Sequence, residues 1–239
     1  SQMPPGIMGG SPCPIKVMQD VVTKMHMSEI CITYGQPEAS PATTMSKITD
    51  PLEVRVNTVG GAIFGVECKI VDPETGEELP DNTDGEFVAR GYNIMKGYYK
   101  NPEATEATFR DGWMTTGDIC NVDADGFIYI RGRDKNMILG PSGQNIYPEE
   151  IEAKLNNMPY VAESLVVERG KGLSAIVYPD YERMDADKVD MQALPELMEA
   201  NRNELNSLVA PYERVDRIQL IPHEFEKTPK KSIKRYLYS

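Results

Sequence analysis

The chemistry-bearing residues of this 239-residue chain gather in a few places. The densest run is GRDKNMILGPSGQNIYPEEIE, Gly132 to Glu152. It reads as a strand end, a charged junction, a short apolar strand, a glycine-rich loop and a helix start. Charge clustered where two differently textured stretches meet fits a hinge that stays hydrated and mobile; it fits equally an ordinary linker closed by a tight hairpin. Tyr34 and Gly35 follow a short apolar strand, Asp118 lies in GWMTTGD, and the closing stretch KTPKKSIKRYLY is basic. Several other chemistries lack their players. His26 and His223 are the only histidines, so a HExxH zinc helix is absent and a Ser-His-Asp triad has little to draw on. Cys13, Cys31, Cys68 and Cys120 are too far apart for a zinc knuckle or a redox pair, and reduced thiols are expected. No GxxxxGK[ST] phosphate loop occurs.

These residues need a framework. With 40% apolar residues the chain can bury a real core, as one large domain or two smaller ones. Lys plus Arg number 25 against 37 Asp plus Glu, a formal charge of -12, which argues against nucleic-acid binding. The apolar runs are strand-sized, so no transmembrane segment is expected. No secretory leader is evident, and a cytoplasmic location is expected, with peripheral membrane association left open. Residues 15–28 place Ile15, Met18, Val22 and Met25 at helical spacing, and EICITYG follows as a buried strand. From 53 to 132, β-rich runs (EVRVNTV, VECKIV, GEFVAR, GFIYIRG) alternate with turn clusters, the texture of an antiparallel barrel or sandwich. One helix interrupts it at NPEATEATF, with Asn101 as N-cap and Pro102 in the first turn. Beyond Arg133, a helix starts at Pro148, two strands flank an RGKG turn, a Leu/Met stripe runs from Leu194 to Leu208, and Val215–Ile221 closes as a strand. The tail is expected to be mobile. The fold class is therefore an α/β part (1–52) and a β-barrel-like part (53–132), then a junction (133–136) and a small α+β domain (137–239).

The ordered motifs resemble those of the adenylate-forming enzymes: acyl-CoA synthetases, luciferase and peptide-synthetase adenylation domains. GGSPCP is similar to the loop that forms one wall of the adenine pocket, YGQPEASP to the motif that follows, GWMTTGD to the ribose-binding motif and TPKKSIKR to the C-terminal lysine motif. Gly132–Glu152 resembles the family's hinge and mobile loop. The resemblance implies that Tyr34 stacks on adenine, with Gly35 admitting close backbone approach and Gly10, Ser11 and Pro12 on the opposite face. It assigns Glu38 to a Mg2+ bridging ATP phosphates, Asp118 to both ribose hydroxyls and Arg133 to a further ribose contact. Lys135 falls at the hinge between two poses, and Gly143 at the tunnel that admits the thiol of CoA. Implied substrates and cofactors are ATP, Mg2+, CoA and a fatty acid of medium or long chain.

Two departures stand out. Pro37 occupies the position of a threonine whose hydroxyl meets the α-phosphate, and proline has neither hydroxyl nor N–H. Ser232 occupies the position of the adenylation lysine, with Lys231 and Lys230 adjacent; Lys231 is the catalytic candidate. The Ser/Thr/Gly-rich phosphate-binding run is also missing from this sequence. The expectation is the C-terminal portion of an AMP-forming fatty acyl-CoA ligase, inactive alone. A peptide-synthetase adenylation domain and a non-catalytic module that kept the fold are the alternatives.

Overall fold

The computed structural model of the protein describes residues 5–10, 15–170, 172–228 and 232–238. The chain divides into two compact units, Ser1–Lys135 and Asn136–Ser239.

In the first unit, β1 (Gly6–Met8) pairs in parallel with β2 (Ile30–Tyr34), and α1 (Ile15–Lys24) lies between them in sequence. The helix is shorter than its 15–28 spacing predicts because His26 adopts φ 57, the left-handed conformation that ends helices. Antiparallel β3 (Thr44–Met45) and β4 (Gly61–Ala62) complete this sheet. EVRVNTV, expected as a strand, forms the helix α2 (Leu52–Asn57) instead. The alternating valines suggest a strand, but Pro51 fixes the helix start. Leu52, Val56 and Val59 then face the cluster of Met18, Ile30 and Ile32. Buried Arg55 adds donors to the carbonyls of Asp50, Ser28 and Ile30 at 3.0, 2.9 and 2.7 Å. Tertiary burial overrides β propensity here.

The second sheet of this unit is antiparallel: β5 (Val66–Val71), β6 (Gly85–Gly91) and β8 (Trp113–Val122) run side by side. The far edge of β8 carries β7 (Phe109–Arg110) and then β9 (Ile128–Arg133). Strands β5, β6 and β9 match runs that the alternation predicts, while β7 and β8 do not, and among the described residues no pairing closes the sheet into a barrel. Ile70, Phe87, Ala89, Met114, Cys120 and Ile128 form its core. The helix α3 (Pro102–Thr108) interrupts as predicted, with the Asn101 side chain accepting from the Ala104 N–H.

The second unit opens with a hairpin of β10 (Ile138–Leu139) and β11 (Asn145–Ile146). The helix α4 (Pro148–Leu155) follows, with Glu149 and Glu150 at its N-terminus, where acids complement the dipole. β12 (Val161–Arg169) and β13 (Gly172–Pro179) pair antiparallel; β14 (Val215–Leu220) joins β13 in parallel. The crossover carries α5 (Tyr181–Ala186) and α6 (Leu194–Leu208). Ile151, Leu155, Val166, Val177, Met198 and Leu205 meet in one core, each fully buried aliphatic contributing about 1.5–3 kcal/mol. The described part of the tail is not loose. Ile233 and Tyr238 pack with Phe225 against Leu165, Val167 and Ile176, and Lys227 bridges Ile233.

Candidate functional site

Local backbone chemistry builds the central cluster of the first unit. The β6–β8 register shifts between Glu86 and Val88, so Thr116, Gly117 and Asp118 all bulge opposite Phe87. A bulge re-aims side chains. Gly117 takes φ 68, its N–H donates to Glu86 Oε1 at 3.0 Å, and Thr116 Oγ1 donates to the Phe87 carbonyl at 2.6 Å. The Asp118 N–H donates to Thr116 Oγ1 at 3.2 Å. These contacts explain the residue types in TGD: a hydroxyl that bonds the facing strand and a glycine where φ is positive.

Asp118 is only 5% exposed, and three donors meet its carboxylate. Tyr34 Oη donates to Oδ2 at 2.5 Å, Gln36 Nε2 donates to the same oxygen at 3.1 Å, and Arg133 Nε lies 2.7 Å from Oδ1. Arg133 reaches it because β8 and β9 pair Asp118 directly with Arg133. Arg133 Nη1 and Gln36 Nε2 both donate to the Thr116 carbonyl as well, at 3.1 and 3.0 Å. The Tyr34 ring stands edge-on to Phe87, centroids 5.4 Å apart. Burial, then the neighbouring Asp118 carboxylate, hold the Tyr34 phenol well above its usual range, so it stays a neutral donor. The structure thus brings together Tyr34, Asp118 and Arg133, 84 positions apart at their widest hydrogen bond. Gln36 and Thr116 belong to the same cluster but escaped the sequence reading. The signal was there for Gln36, two residues after Tyr34 at the end of a strand.

The remaining sequence candidates fall around or away from this cluster. Gly10 takes φ 87 with no atom near its absent Cβ, while a Cβ on Gly9 would meet Thr33. Gly10 and Tyr34 therefore lie at the carboxyl ends of neighbouring parallel strands, where α/β sheets open their crevices. Ser11, Pro12, Lys230 and Lys231 lie outside the described residues. The close approach expected at Gly35 is to the chain itself: a Cβ there would stand 2.1 Å from the Pro41 carbonyl oxygen. Glu38 sits in a 3-10 turn, Pro37–Ala39, that Pro37 initiates; its Oε1 accepts from Tyr98 Oη at 2.8 Å. Its carboxylate does not join the Asp118 hydrogen bonds just described. Lys135 ends the first unit, in the turn Asp134–Asn136. Gly143, φ 83, turns the β10–β11 hairpin, where a Cβ would meet open space. The backbone of Ser232 is tied to Thr228, whose N–H donates to the Ser232 carbonyl at 2.8 Å.

A bulged Thr-Gly-Asp strand, an aromatic donor from a parallel-strand end and a paired arginine make one hydrogen-bonded cluster around Asp118. Comparison with known proteins decides the family. Residues 3–99 match the AMP-binding enzyme family. The chain belongs to the adenylate-forming, AMP-binding enzymes. It is 47% identical over 163 residues to YngI of Bacillus subtilis (strain 168), which carries the name acyl-CoA synthetase; the match covers 68% of this chain and 30% of that protein. It is 40% identical over 168 residues to the mitochondrial medium-chain acyl-CoA ligase ACSF2 of Bos taurus, covering 70% of this chain and 27% of the relative. Its fold superposes on ATP-bound MatB from Rhodopseudomonas palustris with a TM-score of 0.76 and 27% identity, covering 97% of this chain and 44% of that one. The chain thus spans less than a third of the curated relatives it matches. Among the described residues no helix is long and apolar enough to cross a membrane.

Proposed function

We propose that this chain is the nucleoside-binding and C-terminal portion of an AMP-forming acyl-CoA ligase acting on fatty acids. The observation that carries the reading is the Asp118 carboxylate, held in place by Tyr34, Gln36 and Arg133. A carboxylate accepts about four hydrogen bonds, and three positions are taken, so a ribose diol must displace at least one donor. Arg133 is the candidate: its half-exposed side chain keeps the Thr116 carbonyl as an anchor and can turn its remaining N–H groups to the sugar. The Tyr34 ring offers its face to the base beside Gly10.

In the complete protein, a fatty acid carboxylate attacks the α-phosphorus of ATP, forming acyl-AMP and releasing pyrophosphate. The thiol of CoA then displaces AMP to give the thioester. The protein's part is positioning and electrostatics. Glu38 would hold a Mg2+, a hard cation suited to a carboxylate oxygen, which would supply charge neutralisation at the phosphates. Lys135 serves as the hinge and Gly143 lines the thiol tunnel in this reading. Among the described residues no three carboxylate, histidine or cysteine groups cluster as a separate metal cage.

Alone, this chain is expected to give no ATP–pyrophosphate exchange with any fatty acid. It is expected to bind AMP in preference to 2′,3′-dideoxy-AMP in ligand-observed NMR, with the preference lost in Asp118→Ala. Equal binding of the two nucleotides by the unmutated chain would sink the ribose assignment. A second reading, a non-catalytic module, is favoured by Pro37 and Ser232, which remove a hydroxyl and an ammonium from the phosphate side. Acyl-adenylate formation by the complete protein separates the two, and CoA against a phosphopantetheinyl carrier as acceptor separates either from a peptide-synthetase domain.

A further inference from the structure

The described end of the chain is held by a polar ring that the proposed reaction does not use. Arg235 Nη1 lies 2.9 Å from Glu152 Oε1 and 3.0 Å from Oε2, and Arg235 Nη2 donates to the Val166 carbonyl at 2.9 Å. The Val166 N–H donates back to Glu152 Oε1 at 2.7 Å. Three residues from α4, β12 and the tail thus close a ring through both backbone polar atoms of one strand residue. Glu149, one turn earlier on α4, extends it. Its Oε1 lies 3.9 Å from Arg235 Nη1 and accepts from Asn136 Nδ2 at 2.5 Å. Asn136 is the first residue of the second unit.

The tail also has apolar anchors. Phe225 and Tyr238 meet edge to face at 5.1 Å, Tyr238 Oη accepts from the Glu226 N–H at 2.8 Å, and Ile233 packs beside them. Apolar contact is non-directional and tolerates sliding. A guanidinium fork locked on a buried carboxylate and a strand carbonyl admits one register. With Glu152 ionised it also tolerates no vacancy, because each charge then needs the other.

We infer that Glu152 and Glu149 are positioning residues that set, through Arg235, the register of the segment 232–238 on the second unit, and tie that segment to Asn136 at the unit's other end. Ser232, at the lysine position of the C-terminal motif, is three residues from the fork. The inference does not depend on the proposed ligase reaction, since its test reads the order of the segment and not turnover.

The test is hydrogen exchange by mass spectrometry on the full chain at pH 8, where Glu152 is ionised, for the unmutated protein, Arg235→Gln, Arg235→Lys, Glu152→Gln and the double variant Glu152→Gln/Arg235→Gln. Either glutamine variant is expected to speed exchange across 232–238 by about tenfold or more, with β13 and β14 far less affected. Arg235→Lys keeps the charge but not the fork and is expected to fall between. The double variant is expected to match the singles, because both remove one interaction. Unchanged exchange over 232–238 would show that the aromatic contacts hold the segment unaided. An equal rise across β13 and β14, or additive singles, would show general loosening of the unit; each of these overturns the inference.

Discussion

Removing the Glu152 carboxyl should erase a pH dependence of the second unit whose sign and size follow from its surroundings. Glu152 is 9% exposed, between α4 and β12. Burial pushes its carboxyl up to about 7; Arg235 and the Val166 N–H pull it down, and Glu149 adds a push upward. Unfolded, the group titrates near its ordinary value of about 4.3. The folded unit therefore holds a proton that the unfolded chain has released over the window between about 4.5 and 7. Stability from this group is full below that window and is lost as pH rises through it. At about 1.36 kcal/mol per pKa unit, the loss is on the order of 3 kcal/mol. The chain has two units and its one tryptophan, Trp113, lies in the first, so the assay is the opening free energy of amides in β12 and β13 by hydrogen exchange. Between pH 8 and pH 5 the unmutated protein should gain on that order, and Glu152→Gln should gain much less. Stability that rises with pH in the unmutated protein and flattens in the variant would mean that Arg235 outweighs burial, and would refute the reasoning.

Two further perturbations probe the first unit, both read by Trp113 fluorescence during thermal unfolding. Gly35→Ala places a methyl 2.1 Å from the Pro41 carbonyl oxygen and 2.8 Å from Ala42 Cα, backbone that cannot step aside. A loss of several kcal/mol is expected, in the range of overpacked sites or above it; a Tm within 2 °C of the unmutated chain, on the order of 0.5 kcal/mol, contradicts the close approach. Arg55→Met keeps the apolar stem of a buried side chain but strips donors from the Asp50, Ser28 and Ile30 carbonyls. It should cost about 2–4 kcal/mol, and a neutral result would show that water replaces the guanidinium.

How much of this was legible depends on how far apart the interacting residues lie in the chain. Asn101 could be read as an N-cap because its partner, Ala104, is three residues away. Strands β5, β6 and β9 could be read from alternation for the same local reason, whereas β8, interrupted by its bulge at Thr116–Asp118, could not. Helix α2 could not, because the choice between strand and helix for its valines is made by Met18 and Ile32, which no window of a few residues contains. The Asp118 cluster was legible residue by residue only through its motifs. The reason Thr116 and Gly117 accompany Asp118, a bulge opposite Phe87, needs the partner strand.

The tail is the sharpest case. Its lysines and arginine read as a solvated, mobile end, since a run of like charges usually is one. Over its described residues, what reverses that reading is Glu152, 83 positions upstream of Arg235, together with Glu163 beside Lys227 at 2.6 Å. Each of those acids sits on an element whose own pattern explains it: Glu152 in a helix start rich in acids, Glu163 in a strand. Neither announces an unmet need for a cation until the fold buries it. A basic segment is thus mobile or clasped according to whether burial has left carboxylates waiting for it, and only the packing of α4 against β12 tells the two apart.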